Sequence, residues 1–199
     1  MEDIKLVVCD IAGTAIVDNG QVSFAFTDAL RAFGVEVTSE QLHGVRGASK
    51  REAIQSLIPA AQHRERDAKV AYQYFCSLLR KRFSQEGIRP IPGTNEIFEW
   101  LRERKIRIAL NTGFYRDITD MLLMNLGWAE GVVDAIVCGD DVPQGRPAPY
   151  MIFRTMELTG MTSVHFVANK IFCLEGSSLA RFFSRRGSQP HFPPAASIH

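Results

Sequence analysis

Short apolar runs alternate with helical patterns along this chain, and the alternation narrows the choice of fold. Runs typical of strands buried in a parallel sheet cover residues 5–9, 106–110, 135–138 and 163–168. Between them, apolar residues recur at helical spacing from Thr94, which we interpret as a helix cap, and from Tyr115 until Gly127 ends the pattern. This order predicts an α/β fold with a Rossmann-like, doubly wound parallel sheet that has helices on both faces.

The stretch between the first and second of these runs contains helical patterns only. Residues 21–34, 50–58 and 66–86 each carry an apolar stripe at helical spacing, and no strand is predicted among them. We therefore expect a helical insert at 16–88 that interrupts a core made of 1–15 and 89–169. An insert at this point would overhang the carboxyl ends of the strands, where open α/β sheets bind ligands.

The composition excludes several classes of protein. A net charge of +1 argues against a general nucleic-acid binder, which would show a basic face. No apolar run approaches the roughly 18 residues of a transmembrane helix, and the acidic start of the chain does not resemble a signal peptide. The four cysteines are far apart, which favours reduced thiols over a zinc site. We expect a cytoplasmic protein without membrane partners.

Polar residues follow three of the predicted strands. Asp10 ends the first, the segment 111–113 (Asn-Thr-Gly) ends the second, and Arg146 lies in the loop after the third. In a doubly wound sheet these loops converge on one crevice, where they would supply a carboxylate nucleophile, a hydroxyl group and a fixed cation. That combination suits phosphoryl transfer. Asp10 by itself is equally compatible with a simple turn, since aspartate and glycine are common turn residues.

These motifs resemble the haloacid dehalogenase superfamily of phosphotransferases, over about residues 4–168. The family pattern D-x-x-G-T corresponds to residues 10–14, its Ser or Thr to Thr112, and its basic loop to Arg146. The resemblance implies an aspartyl-phosphate formed on Asp10, Mg²⁺ held by Asp10 and the Ala12 carbonyl, and a helical cap corresponding to the insert. It also allows a homodimer through that cap. The substrate contacts that it implies are Gly13, Thr14, Gly47, Asn111 and Gly113.

Ala12 narrows the resemblance to one group of the superfamily. Phosphatases usually carry a second aspartate at this position, whereas D-x-A-G-T and an arginine in the G-R-P loop are typical of phosphonoacetaldehyde hydrolases (phosphonatases), which cleave a carbon–phosphorus bond. Lys50, three residues after Gly47, matches the lysine of that group that forms a Schiff base with the substrate. Ala53 stands where the group has a histidine. Lys50 is therefore expected to form an imine, to bind an anionic substrate or, in the plainest interpretation, to lie exposed at a helix start.

The acidic fourth motif of the superfamily has no match in this chain. It should follow residues 163–169, but from Lys170 to His199 there is no aspartate, and Glu175 is the only acidic residue. We expect residues 170–199 to be a divergent tail, substituted at this junction, with Mg²⁺ bound weakly and hydrolysis of a small phosphonate or phosphate ester impaired. The alternatives are a diverged but working tail, and a non-catalytic or truncated relative that at most binds an anion.

Overall fold

The computed structural model describes residues 4–45, 48–59 and 64–170. Its centre is a sheet of four parallel strands in the order β3-β2-β1-β4. The strands are β1 (Leu6–Cys9), β2 (Arg107–Asn111), β3 (Ala135–Val137) and β4 (Val167–Lys170). The register sets Cys9 beside Leu110 on β2 and beside Lys170 on β4. The residues that follow these strands therefore reach the same edge of the sheet, and the predicted α/β fold is confirmed.

Helices cover both faces of the sheet. The α-helices of the described residues are α1 (Gln21–Arg31), α2 (Ser39–Gly44), α3 (Lys50–Leu57), α4 (Arg64–Glu86), α5 (Thr94–Glu103), α6 (Arg116–Leu126) and α7 (Tyr150–Leu158). One face packs into a large apolar cluster that includes α5 and α6. The other face packs into a smaller cluster under α7. None of the helices within the described residues is long and apolar enough to cross a membrane.

The helices α1 to α4 form one segment of the chain, which begins after the Asp10 loop and is here called the four-helix segment. Phe26 on α1 and Phe75 on α4 are fully buried and meet edge to face with their ring centroids 6.2 Å apart. Three of its helices match the predicted ones. The helix α2 had not been predicted, and it is fixed by a capping box in which Thr38 and Gln41 exchange hydrogen bonds.

Two lengths of chain connect the four-helix segment to the sheet, and they pair with each other. The amide of Val17 donates to the carbonyl of Arg89 (3.0 Å), and the amide of Ile91 donates to the carbonyl of Ala15 (2.9 Å). These hydrogen bonds lie at the two ends of the predicted insert. The division into two domains stays a prediction.

Two local predictions are wrong. Residues 163–168 were predicted as a strand, but Val164–Phe166 forms a 3₁₀ turn, because the Ser163 hydroxyl accepts a hydrogen bond from the amide of His165 (3.3 Å). Thr94 was predicted as a cap, but Gly93 (φ +89°) holds that position. The Thr94 hydroxyl instead donates to the Ala15 carbonyl (3.2 Å) and ties α5 to the Asp10 loop.

Candidate active site

Asp10 and Arg146 form an ion pair at the carboxyl end of β1. Nη2 of Arg146, in the loop between β3 and α7, donates to Oδ1 of Asp10 over 3.0 Å. The side chain of Arg146 is only 12% exposed, and that of Asp10 only 7%. Burial raises the pKa of the Asp10 carboxyl above its usual value, while the positive charges of Arg146 and, more weakly, Lys50 oppose this rise. The ionised carboxylate therefore depends on nearby cations.

The loop after Asp10 is a tight turn around one carbonyl group. The amides of Thr14, Ala15 and Ile16 all donate to the carbonyl of Ile11, at 2.9–3.2 Å. Gly13 adopts φ +72°, a left-handed conformation that favours glycine. The turn explains the glycine, but it does not explain why the preceding carboxylate is buried against an arginine. Asp10 is thus more than a residue that opens a turn.

Asn111 and Thr112 end the strand next to Asp10. Side chains alternate between the two faces of a strand, so Asn111 lies on the same face as Ala109, and Asp10 lies on the same face as Val8. This face packs into the smaller cluster. Asn111 is 4% exposed, and within the part of the chain that the structure describes neither its Oδ1 nor its Nδ2 has a hydrogen-bond partner. The Thr112 hydroxyl accepts from the amide of Phe114 (3.2 Å). A buried polar group without a partner costs about 1–3 kcal/mol, which a bound ligand would relieve.

Arg146 carries a second unpaired group in the same place. Its Nη2 binds Asp10, but its buried Nε has no partner among the described residues. A guanidinium group presents its donors in a fixed fork that matches a phosphate or carboxylate. The Nε donor and the Asn111 amide are therefore available to an anionic ligand beside Asp10.

Lys50 begins α3 and is 9% exposed. Its Nζ donates to the carbonyls of Val45 (3.0 Å) and Ala48 (3.3 Å) and lies 6.0 Å from the ring centroid of Phe26. Because its charge acts on Asp10, Lys50 belongs electrostatically to the same site. The interpretation of Lys50 as an exposed lysine at a helix start is wrong.

Gly113 and Gly145 let the start of α3 approach the loops of the sheet. A Cβ on Gly113 would lie 2.5 Å from the carbonyl oxygen of Ala48, and one on Gly145 would lie 2.8 Å from Cβ of Ser49. Gly113 is therefore a packing contact between the sheet and the four-helix segment. Gly47, which was predicted to bind substrate, lies outside the described residues.

Glu52 is a member of this site that the sequence did not reveal. Its Oε1 accepts a hydrogen bond from the amide of Gly145 over 3.0 Å, although the two residues are 93 positions apart. An acidic residue in the first turn of a helix is ordinary, since it interacts favourably with the helix dipole. No local pattern distinguishes Glu52 from such a residue.

The described residues fit one part of a magnesium site. Mg²⁺ prefers oxygen ligands and is usually held by one or two carboxylates together with phosphate oxygens and waters. The Asp10 carboxylate and the Ala12 carbonyl are donors of this kind. Within residues 4–45, 48–59 and 64–170 there is no group of three or more His, Cys, Asp or Glu side chains that could hold a metal. Asp140 and Asp141 lie near the basic loop, but they bind the amides of Arg116 and Cys138.

Comparison with known proteins decides the family. A family model described as haloacid dehalogenase-like hydrolase matches residues 7–168. The chain belongs to this family. The phosphonoacetaldehyde hydrolase of Paraburkholderia phytofirmans is 31% identical over 176 residues, and a phosphonoacetaldehyde hydrolase-like protein of Syntrophobacter fumaroxidans is 32% identical over 165 residues. The matches cover 81% and 76% of this chain and 65% and 59% of those proteins.

Solved structures agree on the fold. The phosphonoacetaldehyde hydrolase-like protein of Oleispira antarctica superposes with a TM-score of 0.71 at 24% identity, covering 83% of this chain and 64% of that one. CbbY of Rhodobacter sphaeroides, solved in complex with phosphate, gives 0.67 at 16% identity, covering 83% and 76%. The chain spans less than two thirds of the length of the curated relatives named above.

Proposed function

We propose that this chain is a phosphonatase-like hydrolase that transfers the phosphoryl group of a small phosphonate or phosphate ester to Asp10. The observation that carries the proposal is the buried Asp10–Arg146 pair, together with Nε of Arg146 and the Asn111 amide, neither of which has a hydrogen-bond partner among the described residues. A transferring phosphoryl group spreads negative charge over three oxygens, so it needs several donors around one nucleophile. The three residues supply a nucleophile and donors of this kind.

The reaction would proceed through a covalent intermediate. An oxygen of the Asp10 carboxylate attacks phosphorus, and the bond from phosphorus to the leaving group breaks with its electron pair. Arg146, the Asn111 amide and the Thr112 hydroxyl would hold the phosphoryl oxygens. Water then attacks phosphorus in the aspartyl-phosphate, so that phosphate leaves and the Asp10 carboxylate is restored. Mg²⁺, held by Asp10 and the Ala12 carbonyl, would offset the repulsion between the carboxylate and an anionic substrate.

Ala12 bears on the leaving group. Its methyl side chain has no proton to give, so an alkoxide would leave without help from this position. A phosphonate whose carbon is activated by a neighbouring carbonyl does not need that proton in the same way. The relative from Paraburkholderia phytofirmans is a phosphonoacetaldehyde hydrolase, which agrees with a phosphonate as the substrate class.

Lys50 is proposed to bind the substrate as a cation. An imine forms only from the neutral amine, and a lysine that does this chemistry needs a lowered pKa. The carbonyls of Val45 and Ala48 accept hydrogen bonds from Nζ, which holds this group in place as a hydrogen-bond donor. The four-helix segment would accordingly act as a cap that brings a positive charge over Asp10.

The second candidate function is a non-catalytic relative that binds an anion. It is favoured by the scarcity of metal ligands, because the described residues contain no group of three or more His, Cys, Asp or Glu side chains that could hold a metal ion. In this case the crevice would hold phosphate without turning over a substrate, and Mg²⁺ would bind weakly.

Phosphate release from phosphonoacetaldehyde and from p-nitrophenyl phosphate, with and without MgCl₂, separates the two functions. A hydrolase loses all turnover on Asp10→Asn and keeps it on Asp120→Asn, a control whose side chain is exposed on α6. Turnover by Asp10→Asn would exclude Asp10 as the nucleophile. Phosphate binding by calorimetry without turnover of either substrate would favour the anion-binding relative. Treatment with borohydride and the aldehyde substrate should leave Lys50 unlabelled. Labelling of Lys50 would show that it forms an imine instead.

A further inference from the structure

We propose that Glu52 is a positioning residue that holds Arg146 against Asp10 through the main chain of Gly145. This inference rests on the proposed function for its kinetic consequence, but not for the contact itself. Glu52 lies on α3 in the four-helix segment, whereas Gly145 and Arg146 lie in the loop between β3 and α7.

Gly145 and Arg146 are adjacent in the chain, and each donates a hydrogen bond to a carboxylate. The amide of Gly145 donates to Oε1 of Glu52 (3.0 Å), and the guanidinium of the next residue, Arg146, donates to Asp10 (3.0 Å). Gly145 is buried, so removing Glu52 would take away the acceptor of its amide and leave that amide shielded from water. A carboxylate acceptor makes a stronger bond than a neutral one, which suits it to fixing a loop.

The packing leaves the loop little freedom at this point. A Cβ on Gly145 would lie 2.8 Å from Cβ of Ser49 and 3.6 Å from Oε2 of Glu52. The main chain at Gly145 therefore lies directly against the first turn of α3. A displacement of that turn would move the peptide unit from which the Arg146 side chain starts.

The same turn of α3 serves the site twice. The positive charge of Lys50 lowers the pKa of Asp10 directly. Glu52, two positions later, affects Asp10 through the placement of Arg146. Docking of the four-helix segment would thus supply one cation to the crevice and orient the other. Loss of this link should misplace Arg146, and a misplacement of about 1 Å in a catalytic group can cost on the order of 100-fold in rate.

The contact is tested first by NMR, without any need for turnover. The Nη protons of Arg146, assigned with Arg146→Lys, should give resolved signals in the wild type, because the bond to Asp10 slows rotation of the guanidinium group. Glu52→Gln keeps an acceptor and should preserve them. Glu52→Ala should collapse them and shift the Gly145 amide. Arg80→Ala is the matched control. It removes the ion pair that links α4 to α6 and should leave both signals unchanged.

If Glu52→Ala fails to fold, Glu52→Asp replaces it, since its carboxylate is one methylene shorter and should give the same loss. Resolved Arg146 signals and an unshifted Gly145 amide in a folded Glu52→Ala or Glu52→Asp variant would overturn the proposal.

Kinetics provide the second readout. Glu52→Ala should lower kcat on the order of 100-fold with little change in KM, and Glu52→Gln should retain most of the rate. A variant with a lower Tm but wild-type kcat would show a merely structural role and would also overturn the proposal. If the wild type turns over no substrate, the proposed function fails, and the NMR result still decides whether Glu52 positions Arg146.

Discussion

Gly113→Ala should separate the four-helix segment from the sheet without damaging either. The new Cβ would lie 2.5 Å from the Ala48 carbonyl oxygen, almost an ångström inside the ordinary contact distance of about 3.4 Å. Both groups are fixed to main chain, and the amide of Lys50 also donates weakly to the Gly113 carbonyl (3.5 Å). Overpacking of this kind costs about 1–3 kcal/mol. If the cost falls on docking alone, the equilibrium constant for docking falls by a factor of about 5–150.

Hydrogen exchange measures this change directly. Amides of residues 48–57 should exchange faster in Gly113→Ala by about that factor, while amides of β1 and β2 keep their protection. Phosphate release, where the wild type shows it, should fall in parallel. Gly44→Ala is the matched control, because that glycine has open space around it and no positive φ. Wild-type exchange at 48–57 in Gly113→Ala would refute the close approach on which the reasoning depends.

Three further predictions concern stability and thiol chemistry. Because burial raises the pKa of Asp10 in the folded state, the folded protein loses stability as pH rises above the unfolded value of 3.8; in EDTA, the free energy of unfolding of wild type relative to Asp10→Asn, measured with urea, should be lower at pH 7 than in acid. Thr94→Val should lower the free energy of unfolding by about 0.5–1.5 kcal/mol, measured by urea titration, since it removes the hydrogen bond to Ala15. Burial raises the pKa of Cys76 to about 11 and that of Cys138 to about 12, and Cys9 is buried as well, so in a Cys173→Ser variant the three remaining thiols should resist DTNB at pH 8 until urea unfolds the chain.

The parts of the site that the sequence predicted are those carried by local pattern. The apolar run before Asp10 ends where a parallel strand must end, and Gly13 with φ +72° follows from the turn that the motif requires. The same holds for Asn111, which ends β2, and for Thr112 and the loop of Arg146, which follow β2 and β3. Since parallel strands end at one edge of a sheet, the order of these motifs was enough to predict that they meet.

The contacts between the four-helix segment and the sheet could not be predicted in this way. Glu52 and Gly145 are distant in sequence, and an acidic side chain in a helix's first turn has many ordinary explanations. The error at Ser163 has a different cause, because an apolar run predicts a strand, while a serine hydroxyl that binds the chain two residues on favours a turn. In both cases a single side chain outweighs the periodic pattern around it.

The strand register also indicates where the rest of a magnesium site would have to come from. Cys9 pairs with Leu110 on one side and with Lys170 on the other, so Asp10 has Asn111 beside it on the β2 side of the sheet. In the sequence, Lys170 is followed by Ile171-Phe172-Cys173, and Glu175 is the first acidic residue after it. The groups that we propose to bind the anion lie on the Asn111 and Arg146 side. Under this proposal, phosphate affinity depends on that side of Asp10, and further magnesium ligands would have to come from the opposite side. A chain that binds phosphate equally well with and without Mg²⁺ has only the first side, whereas strong enhancement by Mg²⁺ would show that the segment after β4 completes the second.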